Sequence, residues 1–384
     1  MIIQGKKIAI VGGGPGGLTL ARLLQLKGAD VTVYERDVNR AVRVQGATLD
    51  LHDDSGLKAI REAGLMDAFR ANFRPGADKL RIMDQHGAVL FDQHAEADEL
   101  TFGHEGFRPE IDRGPLRTIL LDSLKAGTVI WSSYLTSLIP ADNGWRLEFQ
   151  NGTSAPADIV IAADGANSKI RPLITPIQPF YSGITSVEGT IYHAETAAPN
   201  MNKLVGGGKI FAFGDDKTLI ISAKGDGSLV FYTGCKTDKF WYRTSGIDFS
   251  DKAQVLAWFN DEYAGWDDSW QELFQQAESP FVVRPLYCMP VDQTWEALPN
   301  LTMLGDAAHL MPPYAGEGVN MAMLDALELS QCLTSDAFSH VQAAIAAYEN
   351  QMRIRAAEAA SMTLEQTDLL HAPGAIAHMI EVIS

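Results

Sequence analysis

Cysteine is scarce in this chain: Cys235, Cys288 and Cys332 are the only three in 384 residues, and no two form a CxxC pair. An odd, sparse count excludes a disulfide framework and fits a reducing compartment, so three apolar thiols are expected. Basic charge is short as well. Lys and Arg number 31 against 48 Asp and Glu, a net charge of −17. An acidic surface with no Lys/Arg cluster repels phosphate backbones, so a nucleic-acid partner is not expected. No apolar run reaches the roughly 18 residues that span a bilayer. Met1-Ile-Ile-Gln-Gly-Lys-Lys7 has no secretory apolar region, so no membrane association and a cytoplasmic location are expected. Metal-ligand spacings, Ser–His–Asp sets and Cys–His sets are also missing, so neither a metal nor a protein nucleophile is expected.

What is present is apolar residue, at 46% of the chain, enough for a sizeable core and, at this length, for two domains. Lys7–Val11 is a short apolar run ending at glycines, the pattern of a buried parallel strand. Leu18, Leu20, Ala21 and Leu24 follow at helical spacing, Gly28 suits the helix end, and Asp30–Glu35 is a second strand. A helix is expected near Ser55–Phe69 and another over Leu116–Leu124. Strands are expected at Val129–Trp131, Trp145–Phe149 and Ala157–Ala162. From about residue 173, strand-like stretches recur between Gly- and Asp-rich turns: Ser186–His193, Lys209–Phe213, Thr218–Ala223 and Ser228–Cys235. These point to a mostly antiparallel sheet. Helices are then expected at Lys252–Glu262, around Trp270–Gln276 and at Val319–Leu333, with one long helix from about 340 carrying Val341, Ile345, Tyr348, Met352 and Ala356 on one stripe.

The expected fold is therefore α/β: a Rossmann-like nucleotide-binding domain, an antiparallel-sheet domain and a long C-terminal helix. The first domain is discontinuous over 1–75, 98–172 and 282–335, the second takes 76–97 and 173–281, and the helix bridges them over 336–384.

Two motifs carry chemistry. Gly12-x-Gly14-x-x-Gly17 has a strand before it and a helix after it, and Glu35 follows 21 positions past Gly14. The glycines allow a tight turn and close approach of a diphosphate, the helix start supplies free N–H groups, and the acid can hold ribose hydroxyls. This alone does not separate FAD from NAD. The second motif does. Asp164-Gly165 follows one buried strand, and Gly305-Asp306 follows another. After the latter, Met311-Pro-Pro-Tyr-Ala-Gly-Glu-Gly-Val-Asn320 makes a glycine-rich loop opening a helix. Backbone donors of such a loop, and the helix dipole, suit the pyrimidine end of a flavin. Asp306 suits ribityl hydroxyls. Asp-Gly is also ordinary turn chemistry, so Asp164 could simply cap a turn. His309 is read as structural.

On these segments, together with Gly46-Ala-Thr-Leu-Asp-Leu-His52 and Pro109–Leu121, the chain resembles the single-component (class A) flavoprotein monooxygenases, the para-hydroxybenzoate hydroxylase family. Within it, the chain is most similar to the tetracycline-inactivating monooxygenases of the Tet(X) type. The resemblance implies FAD held by Gly12, Gly14, Gly17, Glu35, Arg36, Asp50, Arg113 and Asp306, with Asp164 and Arg171 involved as well. Arg43 matches the position assigned to NADPH, a transient co-substrate. Pro313, Gly316 and Gly318 would border the flavin ring.

The implied reaction is hydroxylation of a phenolic or enolic polycyclic compound, a tetracycline among the candidates, by a flavin C4a-hydroperoxide formed from O2. The substrate would face Phe211, Phe213, Val230, Phe231 and Met311, although each could equally be plain core. Tetracycline-degrading relatives carry a histidine at the position aligned with Val230, and their neighbouring polar positions appear as Glu188 and Lys209. A monomer is expected. A hydroxylase of another aromatic substrate, an oxidase or dehydrogenase on the same fold, and a flavin-holding interaction protein remain alternatives.

Overall fold

The structure is a computed structural model, and residues 1–42, 46–95, 101–104 and 106–383 are described. Lys7–Val11 lies at the centre of a five-stranded parallel sheet, in the order Leu301–Met303, Ile159–Ala162, Lys7–Val11, Asp30–Tyr34, Val129–Ile130. Leu301–Met303, Ile159–Ala162 and, from Ile8 on, Lys7–Val11 are buried on both faces, which is why they read as unbroken apolar runs. Helix Pro15–Leu26 buries Leu18, Leu20, Leu23 and Leu24 and packs on helix Gly318–Thr334.

The second large sheet has seven strands, ordered Glu278–Cys288, Phe180–Ile191, Leu229–Lys236, Lys217–Ala223, Lys209–Gly214, Leu80–Asp84, Val89–Asp92. All its pairings are antiparallel except Lys209–Gly214 with Leu80–Asp84. One face carries Val187, Ile210, Leu219, Ile221, Leu229 and Phe231 into a core with helices Lys252–Glu262 and Gln271–Gln276. Asp251 starts the first of these helices by accepting the N–H groups of Ala253 and Gln254. Phe231, Phe259, Phe274 and Phe281 stack at the centre of that core. A three-stranded meander and a short pair, Leu49–Asp50 with Glu110–Ile111, complete the sheets.

Several elements depart from the sequence expectation, each for a local reason. Glu278–Cys288 is an 11-residue strand whose Pro280 and Pro285 disguise it; it lies at the sheet edge, where a missing N–H is tolerated. The C-terminal helix is two: Val341–Leu370 and Ala375–Ile383, parted at Ala372-Pro373-Gly374. Proline disfavours helical geometry before it, and Gly374 takes a φ of +91°. The helix expected near Ser55–Phe69 likewise breaks at Gly64 into Gly56–Glu62 and Met66–Arg70. Cys235 and Cys288 are buried and unpaired, and burial pushes their thiols up to about 12 and about 11, so neither is a ready nucleophile. No helix among the described residues is long and apolar enough to cross a membrane.

One buried charge cluster ties helix Gly318–Thr334 to the segments on either side of it. Asp325, wholly buried, meets His309 Nε2 at 2.5 Å and Arg355 Nη2 at 2.7 Å, and accepts the Gly305 N–H at 2.9 Å. Burial alone would raise the Asp325 pKa, but the two cations and the Gly305 N–H lower it. Burial would likewise lower the His309 pKa, but the Asp325 carboxylate raises it. The His309 contribution to stability is complete below the ordinary imidazole pKa and fades as pH rises through the raised one. The Asp325 contribution is present above the ordinary carboxyl pKa and fades on acidification through the lowered one. Asp325→Ala is expected to cost about 3–5 kcal/mol, read as a lower urea midpoint, because it strands two buried partners. The gap from wild type should narrow as pH rises through the His309 transition.

Candidate functional site

The glycine loop leaves Lys7–Val11 and enters helix Pro15–Leu26. A Cβ on Gly12, at φ +113°, would stand 2.1 Å from the Ala163 carbonyl oxygen, and one on Gly17 would stand 2.1 Å from the Gly12 oxygen. Only glycine fits either place. Above Gly14 the space is open, with no atom within 4 Å of a Cβ there, and Pro15 opens the helix. A group with several anionic oxygens could sit at that helix start. Glu35 directly follows the second strand, buried, and accepts the N–H of Gly13 at 2.5 Å and of Asp37 at 2.9 Å. Arg36 is exposed beside it. Arg43 lies outside the described residues.

Arg113 and Asp306 share one concavity. Both are solvent-exposed although protein surrounds them, as expected for groups lining a channel. That surrounding protein pushes Arg113 down and Asp306 up, and the two opposite charges act on each other. Arg113 Nε donates to the Ala47 carbonyl at 3.1 Å, and the Ala47 N–H donates to the Tyr232 hydroxyl at 2.9 Å. Asp50 stands against Gly316, 3.3 Å from where a Cβ would be, and its Oδ2 pairs with His52 Nε2 at 3.0 Å. Asn320, wholly buried, joins these parts: its amide donates to the Asp50 and Gly316 carbonyls and its oxygen accepts the His52 N–H. Pro313 is exposed in a short turn, and Gly318 opens helix Gly318–Thr334 with free space above it.

The two members of the Asp-Gly segment part company. Asp164 Oδ2 accepts the Lys169 N–H at 2.8 Å, while its buried Oδ1 has no partner among the described residues. Arg171 is buried and turned away from the loop. Its guanidinium donates to the carbonyls of Ala307 and Ala308 and to Gln293, so it holds the turn that carries Asp306. Burial lowers its pKa to about 10.

Strand alternation sorts the expected substrate residues. Val230 and Tyr232 share the face of the seven-stranded sheet from which the Tyr232 hydroxyl meets the Ala47 N–H, Val230 being buried there, and Phe231 points the other way. Phe231 is a correction: it is fully buried, 4.9 Å from Phe274 in the helix-side core, because neighbours in a strand face opposite sides. Phe211 and Phe213 meet edge to face on the channel side. Phe213 is covered by Leu370 and Ala375, whereas Phe211 is half-buried. Met311 is buried against Thr363 of the long helix. Lys209 lies on the channel side too, but it pairs with buried Glu110 and acts on Asp50.

Sequence reading passed over Asn320, His52, Tyr232 and Arg284. Asn320 closes the quoted glycine-rich stretch and could have been found there. His52 likewise closes the quoted Gly46–His52 stretch, whereas Tyr232 and Arg284 show no signal without the sheet register.

Burial outweighs Lys209 in setting the Glu110 pKa, which is raised. The Lys209 pKa is raised by Glu110 and Asp50 in spite of burial. Lys209→Met is expected to cost about 3–5 kcal/mol in urea unfolding by leaving Glu110 uncompensated. Adding Glu110→Gln should recover most of that loss.

A family model of the FAD binding domain matches residues 6–110 and 291–363. Monooxygenase asqM of Emericella nidulans is 30% identical over 424 aligned positions, covering 93% of this chain and 94% of that protein. Klebsiella pneumoniae HpxO, complexed with FAD and uric acid, matches at TM-score 0.75 and 23% identity over 100% of this chain and 92% of its own. Tetracycline destructase Tet(51) matches at TM-score 0.70 and 18% identity over 98% of this chain and 97% of its own. The last two likenesses are of fold.

Proposed function

Since the chain belongs to the class A flavoprotein monooxygenases, we propose that it uses FAD and NADPH to insert one oxygen atom of O2 into a phenolic or enolic ring compound. The observation that carries the reading is the pair of opposite charges Arg113 and Asp306, both open to solvent although protein surrounds them. A bound dinucleotide needs such an open, protein-walled place.

In this reading the flavin supplies the redox chemistry and the activation of oxygen. The chain supplies the rest. The N-terminus of helix Pro15–Leu26 offers N–H groups and positive partial charge to the pyrophosphate. Glu35, already preset by the Gly13 and Asp37 N–H groups, accepts from the adenosine ribose. Asp306 accepts from the ribityl chain, and Asp164 braces its own turn by accepting the Lys169 N–H. Gly316 and Gly318 allow the backbone to lie close to the ring, with the start of helix Gly318–Thr334 stabilising negative charge on it.

The substrate lies against Tyr232, Val230 and Phe211. The helix Ala375–Ile383 and Phe213 close that side and keep water from the reacting atoms. By this reading segments 1–75, 98–172 and 282–335 serve the cofactor, 76–97 and 173–281 serve the substrate, and 336–384 close the site. Val230 offers no hydrogen bond where tetracycline-degrading relatives place a histidine, a loss worth about 1–3 kcal/mol. This favours another phenolic substrate over tetracycline.

The test is aerobic incubation with NADPH and 18O2 over a phenol panel that includes a tetracycline, read by mass spectrometry. A product heavier by one labelled oxygen is expected. NADPH consumption yielding only peroxide with every substrate intact would contradict the reading. Asp306→Ala is expected to weaken FAD about tenfold or more by loss of a charged hydrogen-bond partner, measured by flavin release on dilution.

A further inference from the structure

The short turn Pro313–Ala315 is held from two sides. Gly316, just after it, packs on Asp50 and has its carbonyl bonded by Asn320, so that end belongs to the nucleotide-binding half. Tyr314 reaches the other way. Its hydroxyl lies 3.3 Å from His371 Nε2, and the two rings meet edge to face at 5.0 Å. His371 is wholly buried and directly follows helix Val341–Leu370. Thr218 Oγ1, also buried, lies 3.4 Å from the same nitrogen.

Polar groups from three elements therefore meet at one point, and a glycine makes room for them. Gly234 stands opposite Thr218 in the sheet register, two residues past Tyr232 and on the same face. A Cβ on Gly234 would stand 2.3 Å from Thr218 Oγ1, 2.5 Å from His371 Nε2 and 2.6 Å from the Tyr314 hydroxyl oxygen. Beneath the cluster, Tyr263 donates to the Thr218 and Gly234 carbonyls and braces both strands.

The chemistry of the partners fixes the direction of these bonds. His371 Nδ1 lies 2.7 Å from the Thr367 carbonyl oxygen, which can only accept, so Nδ1 carries a proton. Burial lowers the His371 pKa to about 4, so at neutral pH the ring is neutral and Nε2 is a bare acceptor. Burial also raises the Tyr314 pKa, which keeps that phenol a donor. Tyr314 and Thr218 thus donate to one nitrogen, and sharing a single lone pair accounts for the length of both contacts.

We infer that His371 is a positioning residue for the cofactor: its bare Nε2, oriented by Thr367, holds Tyr314 against the seven-stranded sheet and so fixes the turn Pro313–Ala315 beside the flavin ring. The inference rests on the monooxygenase reading and deepens it, because it makes FAD affinity depend on a residue 57 positions from the turn, at the end of the long helix. His371 acts only through Tyr314. A well-placed turn offers its backbone to the ring without first having to be ordered.

The test has two readouts, neither of them activity. Ring-nitrogen NMR of the 15N-labelled, FAD-loaded protein at neutral pH reports the state of His371, whose signals are identified by their loss in His371→Gln. Nδ1 is expected to be protonated and Nε2 bare, and the Nε2 signal should move in Tyr314→Phe. Flavin fluorescence titration gives FAD affinity. Tyr314→Phe, which removes one oxygen and keeps the ring, and His371→Leu are each expected to weaken FAD about tenfold. The double variant should lose no more than the weaker-binding single one, since both remove the same contact. His371→Gln keeps an acceptor in reach of Tyr314 and should recover most of the loss. A proton on Nε2, an Nε2 signal indifferent to Tyr314→Phe, unchanged FAD affinity in both single variants, additive losses, or a Gln variant no better than Leu overturns the inference alone. Wild-type protein that neither purifies with FAD nor takes it up overturns the functional reading and the inference with it.

Discussion

The peptide of Ala47 is held at both ends. Its N–H goes to Tyr232 of the seven-stranded sheet, and its carbonyl takes Arg113 at the start of helix Arg113–Asp122. Here the nucleotide-binding half of the molecule touches the sheet that faces it. Ala47 leads into Leu49–Asp50, which pairs with Glu110–Ile111, and Asn320 then locks Asp50 and His52 to the Gly316 turn. Each bond contributes little net free energy, about 0.5–1.5 kcal/mol for a neutral pair and somewhat more for a charged one. Their value is geometric. Together they fix how the segment Ala47–His52 sits between helix Arg113–Asp122, the Gly316 turn and the seven-stranded sheet.

Charge is buried in this protein where elements meet. Lys209 joins the seven-stranded sheet to the short strand carrying Glu110, and Asp325 gathers His309 and Arg355 from the segments on either side of its helix. Arg171 is spent on backbone carbonyls of the turn that carries Asp306. Such contacts are costly to desolvate and pay back only in the right arrangement. They therefore specify how the layers dock, while the apolar clusters supply most of the driving force.

A cofactor that performs the hard chemistry relieves the chain of the need for a nucleophile or a metal, and the residues around the channel fit that division of labour. In the proposed reading glycines make room, helix starts provide positive partial charge, and a few carboxylates accept from hydroxyls. The facing sheet differs in kind: Tyr232, Ser186, Glu188 and Arg284 come from three adjacent strands and owe their proximity to register alone.

The nucleotide-binding half was legible because its signals are local. A buried strand, a glycine turn and a helix follow one another within 20 residues, and backbone sterics at Gly12 and Gly17 allow few alternatives. The helix Lys252–Glu262 was expected over the residues it occupies, and its start is local too, set by the Asp251 cap. The edge strand with two prolines and the break at Pro373 were not, because proline permits an edge strand as readily as a loop, and a stripe of apolar residues does not show where a helix stops. Phe231 shows the same limit in the site. Val230, Phe231 and Tyr232 are neighbours in the chain, but a strand sends alternate side chains to opposite faces, and nothing in the residues says which face is wet. The sequence by itself determined the nucleotide cradle, since a turn and a helix start are properties of adjacent residues. Only the tertiary structure decided which side chains look into the channel, because that depends on the pairing of strands far apart in the chain and on which face the helices cover.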